Sequence, residues 1–77
     1  MGEPGRQLRN VRFERALRAF ERLGYRVDRV SGAHHVLVHP QKGILVLPGH
    51  TGAVKVGILM DALRKAGISV EQFQEQL

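Results

Sequence analysis

Histidine side chains are the residues of this 77-residue sequence best suited to chemistry. They are His34, His35, His39 and His50, three in one short apolar stretch and the fourth in the glycine-rich segment after it. An imidazole with an unperturbed pKa of about 6.5 both accepts and donates a proton near neutrality. The cluster therefore indicates acid–base chemistry.

Two other interpretations compete for these side chains. A single histidine is most often a surface residue or a hydrogen-bonded interior residue, and we expect this most strongly of His34 and His39. A zinc site is disfavoured because His35 and His39 are far apart along a strand, cysteine is absent and the carboxylates are dispersed. We therefore expect no metal ligands and no cofactor.

The apolar pattern predicts an α+β domain in which both long helices cover one face of a three-stranded antiparallel sheet. The expected N-cap of the first helix is Asn10, and glycines end both long helices. Ser69 and Gln72 have the spacing of a capping box for a short last helix. The predicted order is helix (10–24), strands (25–30, 34–39 and 44–47), a second long helix ending at Gly67, and the short helix.

Alternation along the second strand predicts where its histidines point. If Val36 and Val38 face the helices, His35 lies on the open face of the sheet, together with Leu37 and His39, and His34 turns inward. His50 follows the third strand, so we expect it near the end of the sheet.

Length and composition limit the organisation of the chain. A sequence this short builds one core, so we expect a disordered tail over residues 1–9 and a single domain over 10–77. No apolar run approaches the roughly 20 residues of a membrane-spanning helix, and the first residues lack the apolar region of a signal peptide, so we expect neither. Without cysteines, nothing indicates an oxidising compartment, and the expected location is the cytoplasm.

Positive charge is concentrated in the first third of the chain. Twelve lysines and arginines against seven acidic residues give a net charge of +5. Arg15, Arg18 and Arg22 project from the side of the first helix opposite its apolar face, and arginine binds phosphate through several donors at once. A nucleic acid is the expected partner. An ordinary solvated helix face is the alternative.

Several short motifs follow one another in a particular order. They are Gly24-Tyr25, Gly32-Ala33-His34-His35, Leu47-Pro48-Gly49-His50, Val56-Gly57-Ile58-Leu59 and Ala66-Gly67-Ile68-Ser69. In this order they resemble the HicA-type toxin family over about residues 11–73. The resemblance implies a fold like the double-stranded RNA-binding domain, ribosome-independent mRNA interferase activity, and neutralisation by a HicB-type antitoxin.

The resemblance also implies roles for particular residues. The family motif Gly-Ser-x-His matches Gly32 and His35, so His35 takes the catalytic role. The chain departs from the family pattern at Ala33 and Ile58, where a serine and a threonine are usual, and so it lacks two hydroxyls.

The resulting hypothesis is an endoribonuclease that works without a metal. His35 is the general base toward a ribose 2′-OH, and His50 is the weaker candidate for the general acid. The expected RNA-binding residues are Arg15, Arg18, Arg22, Lys55 and Gly32. We expect no membrane contact and no DNA contact by this chain alone. A non-catalytic RNA-binding module of the same fold, or a protein-interaction adaptor, is the alternative.

Overall fold

The computed structural model describes residues 8–49 and 51–77, and the α+β class and order of elements are as predicted. The elements are α1 (Phe13–Arg22), β1 (Arg26–Ser31), β2 (His34–His39), β3 (Gly43–Pro48), α2 (Val56–Ala66) and α3 (Val70–Glu75). The strands form one antiparallel sheet in the order β1-β2-β3. Helix α1 contacts β1 and helix α2 contacts β3. This arrangement is consistent with the fold of the double-stranded RNA-binding domain.

The start of α1 differs from the prediction. Asn10 is not the N-cap, because it lies in a turn with a φ of 59°, and the helix begins only at Phe13, after the extended residue Arg12. Residues 11–12 stay extended because they pair with the segment before α2. Arg12 forms a bridge with Ala53, and the Val54 amide donates to the carbonyl oxygen of Val11 at 2.8 Å.

The ordered domain extends further toward the N-terminus than predicted. The expected tail covered residues 1–9, of which 1–7 lie outside the described residues. Leu8 is fully buried and belongs to the core cluster that also contains Phe20 and Phe73. The boundary at residue 10 is therefore wrong for Leu8, which packs as a core residue.

The face of β2 that packs against the helices is not the predicted one. Leu37 is fully buried, whereas Val36 and Val38 are only half-buried. The pairing with β3 explains the difference, because Leu37 lies directly opposite the buried Leu45 and cross-strand partners share a face. The longer leucines fill the space beneath the helices.

This reversal corrects the expected orientation of three histidines. His35 and His39 do not lie on the open face, because they share the helix-covered face of Leu37. His34 does not turn inward, since it is exposed opposite Pro48 on the other face. A shift of one residue in a two-residue period moves every side chain to the opposite face.

The ends of α2 and α3 follow the prediction. Gly67 ends α2 in the left-handed conformation, with a φ of 69°. The capping box at α3 is present, since the Gln72 amide donates to Ser69 Oγ and the Ser69 amide donates to Gln72 Oε1. Phe73 of α3 is fully buried and packs on Phe20 of α1 at a ring-centroid distance of 5.0 Å. In the described part of the chain, no helix is long and apolar enough to cross a membrane.

His39 ties the end of α1 to the turn between β2 and β3. Its Nδ1 atom accepts hydrogen bonds from the backbone amides of Gln41 and Lys42, at 3.0 and 3.1 Å. An accepting Nδ1 leaves the proton on Nε2, which then donates to the carbonyl oxygen of Leu23 at 3.2 Å. Gly24 makes room for the ring, because a Cβ there would lie 2.7 Å from Nε2. His39 is a structural histidine.

Replacing His39 should therefore weaken the fold without any contact to a ligand. We expect His39→Ala to lower the free energy of unfolding by about 2 kcal/mol, because three hydrogen bonds are lost. Urea denaturation followed by circular dichroism measures the change. His34→Ala is the matched control, and at its exposed position it should stay within about 0.5 kcal/mol of the unmodified chain. Equal effects of the two substitutions would refute this role for His39.

Candidate functional site

His35 lies near the start of β2, beneath the N-terminus of α1. Its cross-strand neighbours are Val30 and Leu47, so its ring faces the helices. The ring packs on Phe13, the first residue of α1, at a centroid distance of 4.7 Å and an interplanar angle of 53°. The side chain is half-buried. His35 therefore stands between the hydrophobic core and the surface.

One nitrogen of His35 is enclosed without a partner. Its Nδ1 atom is buried and makes no hydrogen bond with any described residue. A buried polar atom left unpaired costs about 1–3 kcal/mol. Such atoms are uncommon in folded proteins, and each calls for an explanation such as a catalytic role or an unseen ligand. This property distinguishes His35 from His39, both of whose ring nitrogens are paired.

The segment between β3 and α2 is fixed to the same end of the sheet by backbone hydrogen bonds. The Gly49 amide donates to the carbonyl oxygen of Ala33 at 2.6 Å, which holds the segment beside the start of β2. The Phe13 amide donates to the carbonyl oxygen of Gly52 at 2.8 Å, which holds it beside α1. The sequence therefore brings three distant segments together around Phe13 and His35.

A cavity of about 200 Å³ opens where these segments meet. Its walls come from α1, the end of β3, the connecting segment and the first turns of α2: Phe13, Pro48, Gly49, Thr51, Ala53, Val54, Lys55 and Ile58. Phe13 joins the cavity to His35, because the same ring lines one and packs on the other. No local pattern in the sequence distinguishes this residue from the other apolar residues of α1.

Positive potential is built into one side of this cavity. Lys55 lines it and is also the N-cap residue of α2, whose first turn contains no acidic residue. Among the described residues, no side chain caps this helix end. The free amides and the helix dipole at an N-terminus attract anions, and the lysine ammonium adds a full charge. The arrangement suits a phosphate group.

The remaining predicted site residues lie at different distances from this cavity. Gly32 is in the exposed turn before β2, with a φ of 58°, at the same end of the sheet as His35. His50 lies outside the described residues. Ile58 lines the cavity where the family pattern has a threonine, so that wall is apolar. Ala33, the other departure, contributes its carbonyl oxygen to the Gly49 bond.

The three arginines of α1 form a separate surface, beside the end of α3. Arg15 donates to the backbone oxygen of Leu77 at 3.0 Å, and Arg22 donates to that of Gln76 at 2.6 Å. Arg18 lies with them around a small cavity of about 80 Å³. The described contacts therefore bring these arginines together with one another, but not with the cavity beside His35.

The carboxylates and histidines of the described residues do not gather. No three of these side chains lie close enough together to hold a metal ion there.

Comparison with known families fits the arrangement. A family model described as the HicA toxin of bacterial toxin–antitoxin systems matches residues 13–68, well over half of the chain. The chain belongs to the HicA toxin family. The matched region begins at Phe13 and includes His35, Lys55 and Ile58, so the whole cavity lies within the HicA region, whereas α3 lies outside it. No curated protein matches the chain significantly.

Proposed function

We propose that this HicA toxin is an endoribonuclease that cleaves mRNA, with His35 as its general base. The observation that carries the proposal is the unpaired, buried Nδ1 of His35 beside a cavity with a positively charged wall. A half-buried imidazole beside such a cavity can exchange a proton with a bound group through its other nitrogen, Nε2. Since mRNA is the proposed substrate, the proposed location of the activity is the cytoplasm.

The reaction we propose is a transesterification followed by release of a cyclic phosphate. The neutral ring of His35 removes the proton from a ribose 2′-OH, and the 2′-oxygen attacks the adjacent phosphorus. The bond to the 5′-oxygen breaks, and that oxygen takes up a proton from a general acid, for which His50 is the weaker candidate. Because Nδ1 is enclosed, Nε2 is the nitrogen expected to accept the proton. The Lys55 ammonium offsets charge on the phosphorane.

A non-catalytic RNA-binding module is the second candidate. The two missing hydroxyls at Ala33 and Ile58 favour it, because Ile58 makes one wall of the cavity apolar where the family pattern has a threonine. Such a module would bind RNA through phosphate and 2′-OH contacts and would not need a poised histidine. A substitution that removes the proton acceptor and keeps the fold separates the two candidates.

His35→Phe is that substitution, because an aromatic ring of similar size keeps the packing on Phe13. We expect the rate of RNA cleavage to fall by at least about 10²-fold, the usual contribution of a general base. The free energy of unfolding should fall by no more than about 1.5 kcal/mol, as for volume-conserving replacements, and it rises if removal of the unpaired nitrogen outweighs any change in packing. Labelled RNA on denaturing gels measures cleavage, and circular dichroism measures folding.

The adjacent exposed histidine supplies the control for this experiment. His34→Phe should cleave RNA at the rate of the unmodified chain, since His34 lies on the other face of the sheet. A folded His35→Phe protein that cleaves normally, free of contaminating ribonuclease, would remove His35 from the mechanism. An unmodified chain that binds RNA and never cleaves it would establish the second candidate.

RNA binding by the α1 arginines should depend on which of them has its donors available. Arg18 makes no hydrogen bond or ion pair with the described residues, whereas Arg15 and Arg22 are bonded to the end of α3. We therefore expect Arg18→Gln to reduce the slope of log K against log salt by about 0.7 for single-stranded RNA, as one phosphate contact is lost. Fluorescence anisotropy over a salt series measures the slope.

The control for this experiment is an arginine with no proposed role in RNA binding. Arg64 pairs with Asp61 on α2, so Arg64→Gln should leave the slope unchanged. If Arg18→Gln and Arg64→Gln reduce the slope equally, general attraction to the +5 chain explains the binding and the α1 contact is refuted.

We also propose an acidic HicB-type antitoxin that covers His35. Co-expression should give a stable complex without RNase activity. Diethyl pyrocarbonate followed by mass spectrometry then compares two neighbouring histidines, and the complex should protect His35 much more than His34. Equal reactivity of His35 in the free toxin and in the complex would rule out occlusion.

A further inference from the structure

Strand β3 is an edge of the sheet whose middle residues, 44–47, lack the charges, bulges and prolines that usually prevent further pairing. It holds the last place in the order β1-β2-β3, and its sequence Gly43–Pro48 contains no charged residue. Its pairing with β2 runs without interruption from Gly43 to Pro48. An edge of this kind exposes a row of free amides and carbonyls to any other strand.

The opposite edge has the protection that β3 lacks. Strand β1 carries Arg26, Asp28 and Arg29, and its pairing with β2 is irregular between Val27 and Arg29. Charges and bulges on an edge strand prevent further pairing. The difference between the two edges of this sheet identifies β3 as the strand free to take a neighbour.

Large apolar side chains mark the β3 edge on the open face. Ile44 is 72% exposed and Val46 is 47% exposed. Among the large apolar residues that the structure describes, Ile44 is the most exposed and Val46 the third most exposed. On the helix side, a groove of about 580 Å³ runs between β3 and α2. Exposed, β-branched residues along an unpaired edge are suited to strand addition.

The charges in the groove decide what kind of partner fits. Asp61 and Lys65 line it and pair with each other at 3.1 Å, and the hydrogen bond from Lys65 lowers the pKa of the Asp61 carboxyl, so Asp61 carries a negative charge near neutral pH. Together they contribute no net charge, and Arg64, which also pairs with Asp61, is not one of the residues that line the groove. The groove therefore offers little attraction to RNA or to an acidic chain, both of which the arginines of α1 attract instead.

A second copy of the same chain is complementary to this edge. A two-fold axis makes every contact twice, so an uncharged strand meets an uncharged strand. The +5 charge of each chain is no obstacle at the strand itself, because β3 carries none of it.

We propose that β3 pairs in an antiparallel manner with β3 of a second copy, which forms a continuous six-stranded sheet across a two-fold dimer. Leu45 lies at the axis, opposite Leu45 of the second copy, and Ile44 lies opposite Val46 of the second copy. This register keeps each cross-strand pair on one face, so four β-branched side chains cover one another on the open face. The dimer does not depend on the proposed RNase activity.

Oligomeric state is the first test. Sedimentation velocity of the purified chain should give a species of twice the mass of one chain. A charge on the β3 edge should abolish it, so we expect Ile44→Lys and Val46→Lys each to sediment as a monomer. Both residues are exposed, and circular dichroism should report an unchanged fold.

Val30→Lys is the matched control, because Val30 is also an exposed valine, 56% exposed, but lies on β1. It should remain a dimer. A monomeric unmodified chain at a concentration of several hundred micromolar would overturn the proposal. A dimer that survives both β3 substitutions, or that Val30→Lys also dissociates, would overturn its location at β3.

Disulfide cross-linking tests the register. The chain contains no cysteine, so a cysteine introduced by substitution is its sole thiol. Tagged Ile44→Cys is mixed with untagged Val46→Cys under mild oxidation, and the predicted register favours the mixed disulfide several-fold over either symmetric one. Val30→Cys mixed with Val46→Cys should give no excess of mixed product. A predominant symmetric Val46→Cys disulfide would overturn the register.

Discussion

Leucine side chains between the sheet and the long helices determine how the rest of the structure is arranged. Leu37, Leu45 and Leu47 are buried on one face of β2 and β3, and cross-strand pairing locks them to that face together. Because side chains alternate along a strand, His35 and His39 must share this face. Both histidines are therefore directed toward the helices, one at each end of the leucine layer.

The two ends of that layer give the histidines different environments. At the β2–β3 turn, backbone amides and the end of α1 supply partners for both nitrogens of His39. At the other end, the side chain next to His35 is the ring of Phe13, which offers no conventional acceptor or donor. The two histidines therefore differ: both nitrogens of His39 are hydrogen-bonded, whereas Nδ1 of His35 has no partner among the described residues.

The sequence was sufficient to predict the elements, because periods of 3.6 and 2 are local signals. It was insufficient to predict which face of β2 is buried, because Val36 and Val38 on one face and Leu37 on the other are all apolar. The decision depends on pairing with β3, which reads as a continuous apolar run and so carries no alternation of its own. The pairing of residues 11–12 with 53–54, which delays α1, is likewise a long-range contact that no local pattern reports.

The arginines of α1 illustrate the same limit for function. Helical spacing correctly predicted that Arg15 and Arg22 are exposed, but exposure is not availability. Both reach the last backbone oxygens of the described chain, where they offset the negative end of α3. A helix only six residues long gains from such contacts, since it has few hydrogen bonds of its own.

Because the chain is short, the unpaired nitrogen of His35 costs a large share of the total folding stability. A domain of 77 residues has a total stability of roughly 4–12 kcal/mol. An enclosed polar atom without a partner uses about 1–3 kcal/mol of that margin. A phenylalanine at this position would keep the contact with Phe13 and avoid the penalty. Packing alone does not account for a histidine at this position, and proton transfer through Nε2 to a group bound beside Phe13 is the role that we propose for it.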